Sequence, residues 1–102
     1  MKNYTISPLA SRDLDEIFDY FADHSVDAGE QFIDDFNKKC HNLVSFPNIG
    51  RPYPELKSSL RGITLSGYII FYRVTVNSVE IVRVVSGYRD LESLFIESND
   101  PK

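Results

Sequence analysis

Arg73, Arg83 and Arg89 lie in the β-rich C-terminal half of the chain, and a guanidinium is the side chain best shaped to hold a carboxylate bidentately. Arg73 and Arg83 fall on neighbouring expected strands, so their spacing allows both to stand on one sheet face as a basic patch for an acidic partner. Tyr88 adjoins Arg89 and completes the candidate partner-binding set: Arg73, Arg83, Tyr88 and Arg89. The bland alternative keeps the charges at home. Arg73 and Arg83 then pair with helix carboxylates or face water, and Arg89 with Asp90 makes a local ion pair, worth only about 0–1 kcal/mol if exposed. Tyr68 and Tyr72 share one strand face and suit a core better than a ligand platform.

Other reactive residue types do not assemble into a site. His24 and His41 are isolated, with no second ligand at zinc spacing. Cys40 and His41 resemble a nucleophile and its base, but neighbours on a helix point about 100° apart and cannot meet. The group Glu30, Asp34 and Asp35 reads as a solvated helix face rather than a metal site. The sequence contains no phosphate-binding glycine loop, dinucleotide fingerprint or nucleophile elbow. Neither a cofactor nor a catalytic residue is expected.

The elements that position these residues are legible in order. Residues 2–6 alternate as a short edge strand. Ser7-Pro8 supplies an N-cap oxygen and a proline at the first helical position, and Ala10, Leu14, Ile17, Phe18 and Phe21 form one apolar stripe to about residue 23. The carboxylates are expected on the opposite, solvated face. Ser25 or Asp27 caps a second helix, with Glu30 at capping-box distance from Asp27. Its stripe is Ile33, Phe36, Cys40, Leu43 and Val44, with Phe32 beside them, and Pro47 ends it near Ser45. Asn48 to Pro54 is a loop. Strands follow over 60–65, 68–75 and 79–85, joined by turns at Ser66-Gly67 and at 76–78. The middle strand is apolar on both faces, as a central strand should be. Leu91, Leu94, Phe95 and Ile96 are expected to pack back as a turn, and 97–102 to form a tail beyond a single domain of residues 1–96. The order β-α-α-β-β-β implies an α+β fold with a helical hairpin on one face of a small antiparallel sheet.

Composition narrows the function. The 102 residues carry a net charge of −4, whereas proteins that hold nucleic acid through its phosphates usually carry a basic excess. No direct sequence-specific nucleic-acid binding is expected. The charge is uneven: nine carboxylates stand against Arg12 over residues 12–35, and six cations against Glu55 and Glu80 over residues 51–89. One cysteine permits no internal disulfide, the first residues hold no apolar leader, and no apolar run nears the roughly 18 residues of a membrane span. The expected location is the cytoplasm, with no membrane partner.

Five segments carry a family resemblance. Ser7-Pro8-Leu9-Ala10 with Asp13 to Ile17 resembles the first-helix entry of ParE-like toxins, and Ala28 with Gln31 to Asp34 the start of their second helix. Phe46 to Pro52 is similar to their loop before the sheet. Tyr68 to Val74 resembles their central strand, and Val82-Arg83-Val84 through Gly87-Tyr88-Arg89-Asp90 their last. Within the RelE/ParE superfamily, this resemblance implies a toxin of a type II toxin–antitoxin pair. Its expected partners are a cognate antitoxin and DNA gyrase, and its expected action is protein inhibition rather than catalysis. The alternatives are a ribosome-dependent messenger-RNA endonuclease of the RelE type and a non-toxic relative that only binds antitoxin. The endonucleases carry a catalytic arginine just after a Ser-Gly-Tyr turn and a tyrosine in the C-terminal segment. Ile69 and Phe95 occupy those positions here.

Overall fold

Ser7 turns a strand into a helix in one residue. Its Oγ accepts from the Ala10 N–H at 3.1 Å and donates to the Val82 carbonyl at 2.9 Å, while its N–H donates to the Ile81 carbonyl at 2.9 Å. Pro8 occupies the first turn, where a missing N–H leaves no bond unmade. The computed structural model describes residues 3–87 and Leu91. Strand β1 (Asn3–Ile6) therefore runs directly into helix α1 (Pro8–His24). Ser25 then serves both helices. Its N–H donates to the Phe21 carbonyl at 2.6 Å, and its Oγ accepts from Ala28 at the start of α2 (Val26–Ser45). Asp27 is thus not the cap, and its capping box with Glu30 does not form. Asp27 sits instead in the first turn of α2, where the helix dipole favours its charge.

The remaining elements are β2 (Arg51–Pro52), β3 (Arg61–Leu65), β4 (Tyr68–Val74) and β5 (Ser78–Ser86). They join β1 in one sheet of order β1-β5-β4-β3-β2. β2 lies in the expected loop; its proline, which cannot donate to a ladder, suits an edge. Ser66 and Gly67 both take positive φ, 51° and 85°, which closes the tight β3–β4 hairpin. Neighbours among β2 to β5 run antiparallel, but β1 pairs with β5 in parallel, Tyr4 opposite Val79. The sheet is therefore mixed, not antiparallel as the sequence led us to expect. Apolar alternation in a four-residue strand carries its face but not its direction. That direction follows from the helical crossover that separates it from its neighbour.

β4 is central and divides two apolar layers. Ile70 and Tyr72 face the helices, packing with Leu14, Ile17, Phe32, Phe36, Cys40 and Leu43. Ile69 and Phe71 face the other way, onto Leu60, Val85, Tyr53 and Leu91. Leu94, Phe95 and Ile96, expected to pack back beside Leu91, lie outside the described residues, as do 97–102. The pairing of β4 with β5 slips once: Tyr72 opposes Ile81, but Phe71 opposes Arg83. The extra residue, Val82, makes a bulge that reverses the alternation, so that Val84 joins the helix-side core and Val85 the other layer.

Candidate partner-binding surfaces

The bulge aims Arg83 at α1. Its Nε donates to Asp13 Oδ2 at 2.8 Å and its Nη2 to Oδ1 at 3.0 Å, while the Val84 N–H reaches the same carboxylate at 2.9 Å. Both side chains are nearly covered, at 12% and 11% exposure. Asp13 is thus buried, not part of the solvated face expected for the α1 carboxylates. The signal was present in the spacing: Asp13 stands three residues after Ala10 and four before Ile17, on their stripe. A desolvated pair of this kind contributes little net stability over an apolar pair, but removing one member is costly. It locks α1 onto β5.

Arg73 has a different surrounding. It follows Tyr72, whose side chain faces the helices, so strand alternation turns Arg73 to the opposite face. There it pairs with Glu80, its direct cross-strand neighbour, with 44% of its side chain exposed. The shared guanidinium face expected of Arg73 and Arg83 does not form. The two arginines serve different sides of the sheet, and each already holds a carboxylate. Tyr88 and Arg89, the other two candidates, lie outside the described residues.

Tyr72 is fully buried, and its hydroxyl works on the chain after α2. It donates to the Pro47 carbonyl at 2.7 Å and accepts from the Gly50 N–H at 2.9 Å. Burial raises its pKa above the usual phenol value, against the opposing pull of the Gly50 N–H and the Arg61 charge. Arg61 Nη1 donates to the carbonyls of Asn48 and Gly50, at 3.1 and 2.7 Å. A side chain at position 50 is excluded, since its Cβ would sit 2.5 Å from the Tyr72 hydroxyl. Cys40 is buried, and its thiol is pushed up to about 12 by that burial, which keeps it protonated and inert.

Two recesses border α1. One, of about 220 Å³, is lined by Asp13, Glu16, Ile17, Tyr20, Tyr68, Val84, Val85 and Ser86. The other, of about 170 Å³, is an apolar notch on the outside of the hairpin between Phe18, Phe21, Ala22, Val26, Gly29 and Ile33, with Glu30 at its rim. Gly29 lets the helices approach there, for a Cβ would lie 3.1 Å from that of Phe21. The apolar stripes read from the sequence carry no sign of this notch. Val26, 65% exposed, was the available signal: an apolar residue just past a helix cap, off the buried stripe.

The described residues thus form a small two-layer domain with two ion-paired arginines and an open apolar notch on its helical hairpin. The family profile of the ParE toxin of the type II toxin–antitoxin system, parDE, matches residues 4–91. The chain belongs to the ParE toxin family. Toxin ParE1 of Caulobacter vibrioides is 30% identical over 86 residues, covering 83% of this chain and 88% of that protein. Toxin ParE3 of the same organism is 28% identical over 82 residues, 79% of this chain and 82% of its own length. A solved structure described as the chromosomal ParDE TA system from P. aeruginosa superposes with a TM-score of 0.70 at 21% identity, over 84% of this chain and 96% of that one. At that identity the likeness speaks for the fold, and the fold agrees. Among the described residues, no helix of this ParE-family chain is long and apolar enough to cross a membrane.

Proposed function

We propose that this ParE-family toxin arrests growth by binding and inhibiting DNA gyrase, and that a cognate antitoxin encoded beside it neutralises it. The observation that carries the choice of target is Ile69. An RNA-cleaving relative needs a cation after the Ser66-Gly67 turn to stabilise a charged phosphorane. Ile69 is 8% exposed and packs into the apolar layer with Leu60, Phe71 and Val85. The described residues that line the recess beside it are Thr64, Gly67, Tyr68, Ile69 and Gly87, none of them charged. Inhibition by binding asks for no such group.

The hairpin notch is the antitoxin's place in this reading. Its apolar lining suits one face of an amphipathic helix, a common mode of segment recognition. Arg73, exposed on the other face of the sheet, contributes a carboxylate contact to the same partner. The toxin is expected to act in the cytoplasm, where gyrase is. Inducing it alone in bacteria should produce filamentous cells and DNA-damage signalling before protein synthesis falls. Immediate loss of amino-acid incorporation, with transcripts cut inside translating ribosomes, would replace gyrase with messenger RNA as the target. Co-induction of the neighbouring antitoxin should restore growth.

A further inference from the structure

The segment that follows α2 exposes apolar surface it has no folding reason to expose. Phe46 is 59% exposed and Ile49 51%, yet they flank a tight turn, closed by a hydrogen bond from the Ile49 N–H to the Phe46 carbonyl at 3.3 Å. A turn of this type keeps its end residues within about 7 Å, so two exposed apolar residues stand close along the chain at one tip of the loop. A loose loop would let them collapse onto the core. This one is held: the buried Tyr72 hydroxyl grips Pro47 and Gly50, and Arg61 grips Asn48 and Gly50. Fixing an apolar tip before encounter lowers the ordering penalty of binding.

The charge around the tip differs in sign from that of the helices. Residues 46–61 carry Arg51, Lys57 and Arg61 against Glu55 alone, whereas α1 and α2 together carry nine carboxylates and three Lys or Arg residues. The tip is also remote from the notch. Gly29 lines the notch and Phe46 follows the end of α2, so at 1.5 Å per residue the helix separates them by roughly 25 Å.

We propose that the turn Phe46–Ile49, with Arg51 and Arg61 beside it, is the edge with which the toxin engages its target: an acidic protein surface bearing an apolar cleft. The inference rests on the reading that the toxin acts by binding a protein, and it assigns the antitoxin notch and the target edge to opposite ends of α2. Both tip residues are solvent-facing, so Phe46→Ser with Ile49→Ser should leave the melting temperature within a few degrees.

Three readings on that double variant test the proposal: growth arrest on induction, inhibition of purified gyrase, and antitoxin affinity. Growth arrest should be lost and gyrase inhibition weakened at least tenfold, with the antitoxin dissociation constant within about twofold of the parent. Retained growth arrest would overturn the proposal, as would an antitoxin affinity that falls in step with toxicity. If the parent leaves gyrase untouched but the variant still loses growth arrest, the gyrase reading fails and the target edge stands. Should the double variant not fold, Arg51→Glu carries the test, since its side chain is 63% exposed. Growth arrest should weaken there while antitoxin binding holds, and undiminished arrest would overturn the proposal.

Discussion

The helical hairpin and the loop that follows it are held by different physics. α1 and α2 present apolar stripes against one face of the sheet, and Ala10, Leu14, Ile17, Phe36, Cys40 and Leu43 are buried where their spacing put them. Ile33, expected on the same stripe, is exposed, and the neighbouring Phe32 is buried in its place. The loop from Phe46 to Arg51 buries almost nothing of its own and is held by two side chains, Tyr72 and Arg61, that arrive from strands more than ten residues away. Burial leaves a periodic trace in a sequence; polar clamps do not. The difference also separates the two proposed surfaces, one on a rigid apolar scaffold and one on a hydrogen-bonded turn.

The largest effects should come from the hairpin and its attachment to the sheet. Phe36→Ala should cost about 3–5 kcal/mol by removing a ring from a closed core, close to the whole stability of a domain this size, and chemical denaturation reads it directly. Asp13→Ala should cost about 3–5 kcal/mol, because it strips a bidentate carboxylate from a buried guanidinium and from the Val84 N–H. A loss near zero for Asp13→Ala would mean that the hairpin is held by apolar packing alone. On the loop, Tyr72→Phe keeps the ring and removes both hydroxyl bonds. Its expected cost is about 1–3 kcal/mol, with faster amide exchange at Gly50 and unchanged exchange in α1.

These differences also explain what could be read from the sequence alone. Both helices, the three long strands and the two-sided burial of β4 were legible because each repeats an apolar pattern of known period. The bulge at Val82 was not, since it interrupts the alternation by one residue and leaves every residue type plausible; with it went the direction of Arg83. Nor was the parallel pairing of β1, which depends on where the crossover returns. Asp13 stood on the apolar stripe but was grouped by charge with its solvated neighbours. Of the four candidate site residues, Arg73 and Arg83 prove to be parted by the sheet.

Smaller effects sharpen the picture at alkaline pH and at the surface. Burial raises the Cys40 thiol from 9.0 to about 12, so the folded chain holds a proton that the unfolded chain releases. That contribution is complete below about pH 9 and is lost as pH rises from there toward 12. Cys40→Ala should flatten this part of the alkaline limb of the stability curve, while the buried Tyr72 hydroxyl, raised from 10.0, keeps some slope. An unchanged limb would place Cys40 in contact with water. Arg73→Ala should change stability by less than about 1 kcal/mol, because Arg73 is itself exposed in its cross-strand pair with Glu80. The same variant should weaken antitoxin binding several-fold, and titration calorimetry that finds equal affinity would remove Arg73 from the antitoxin surface.

We propose that the toxin acts on a topoisomerase by binding and not on RNA by catalysis. Purified toxin, gyrase, ATP and relaxed plasmid test it most directly. Supercoiling should fail in proportion to toxin concentration and recover when the cognate antitoxin is added at equal concentration. Undisturbed supercoiling at a large excess of folded toxin, together with cleavage of messenger RNA in a purified translation system, would contradict it.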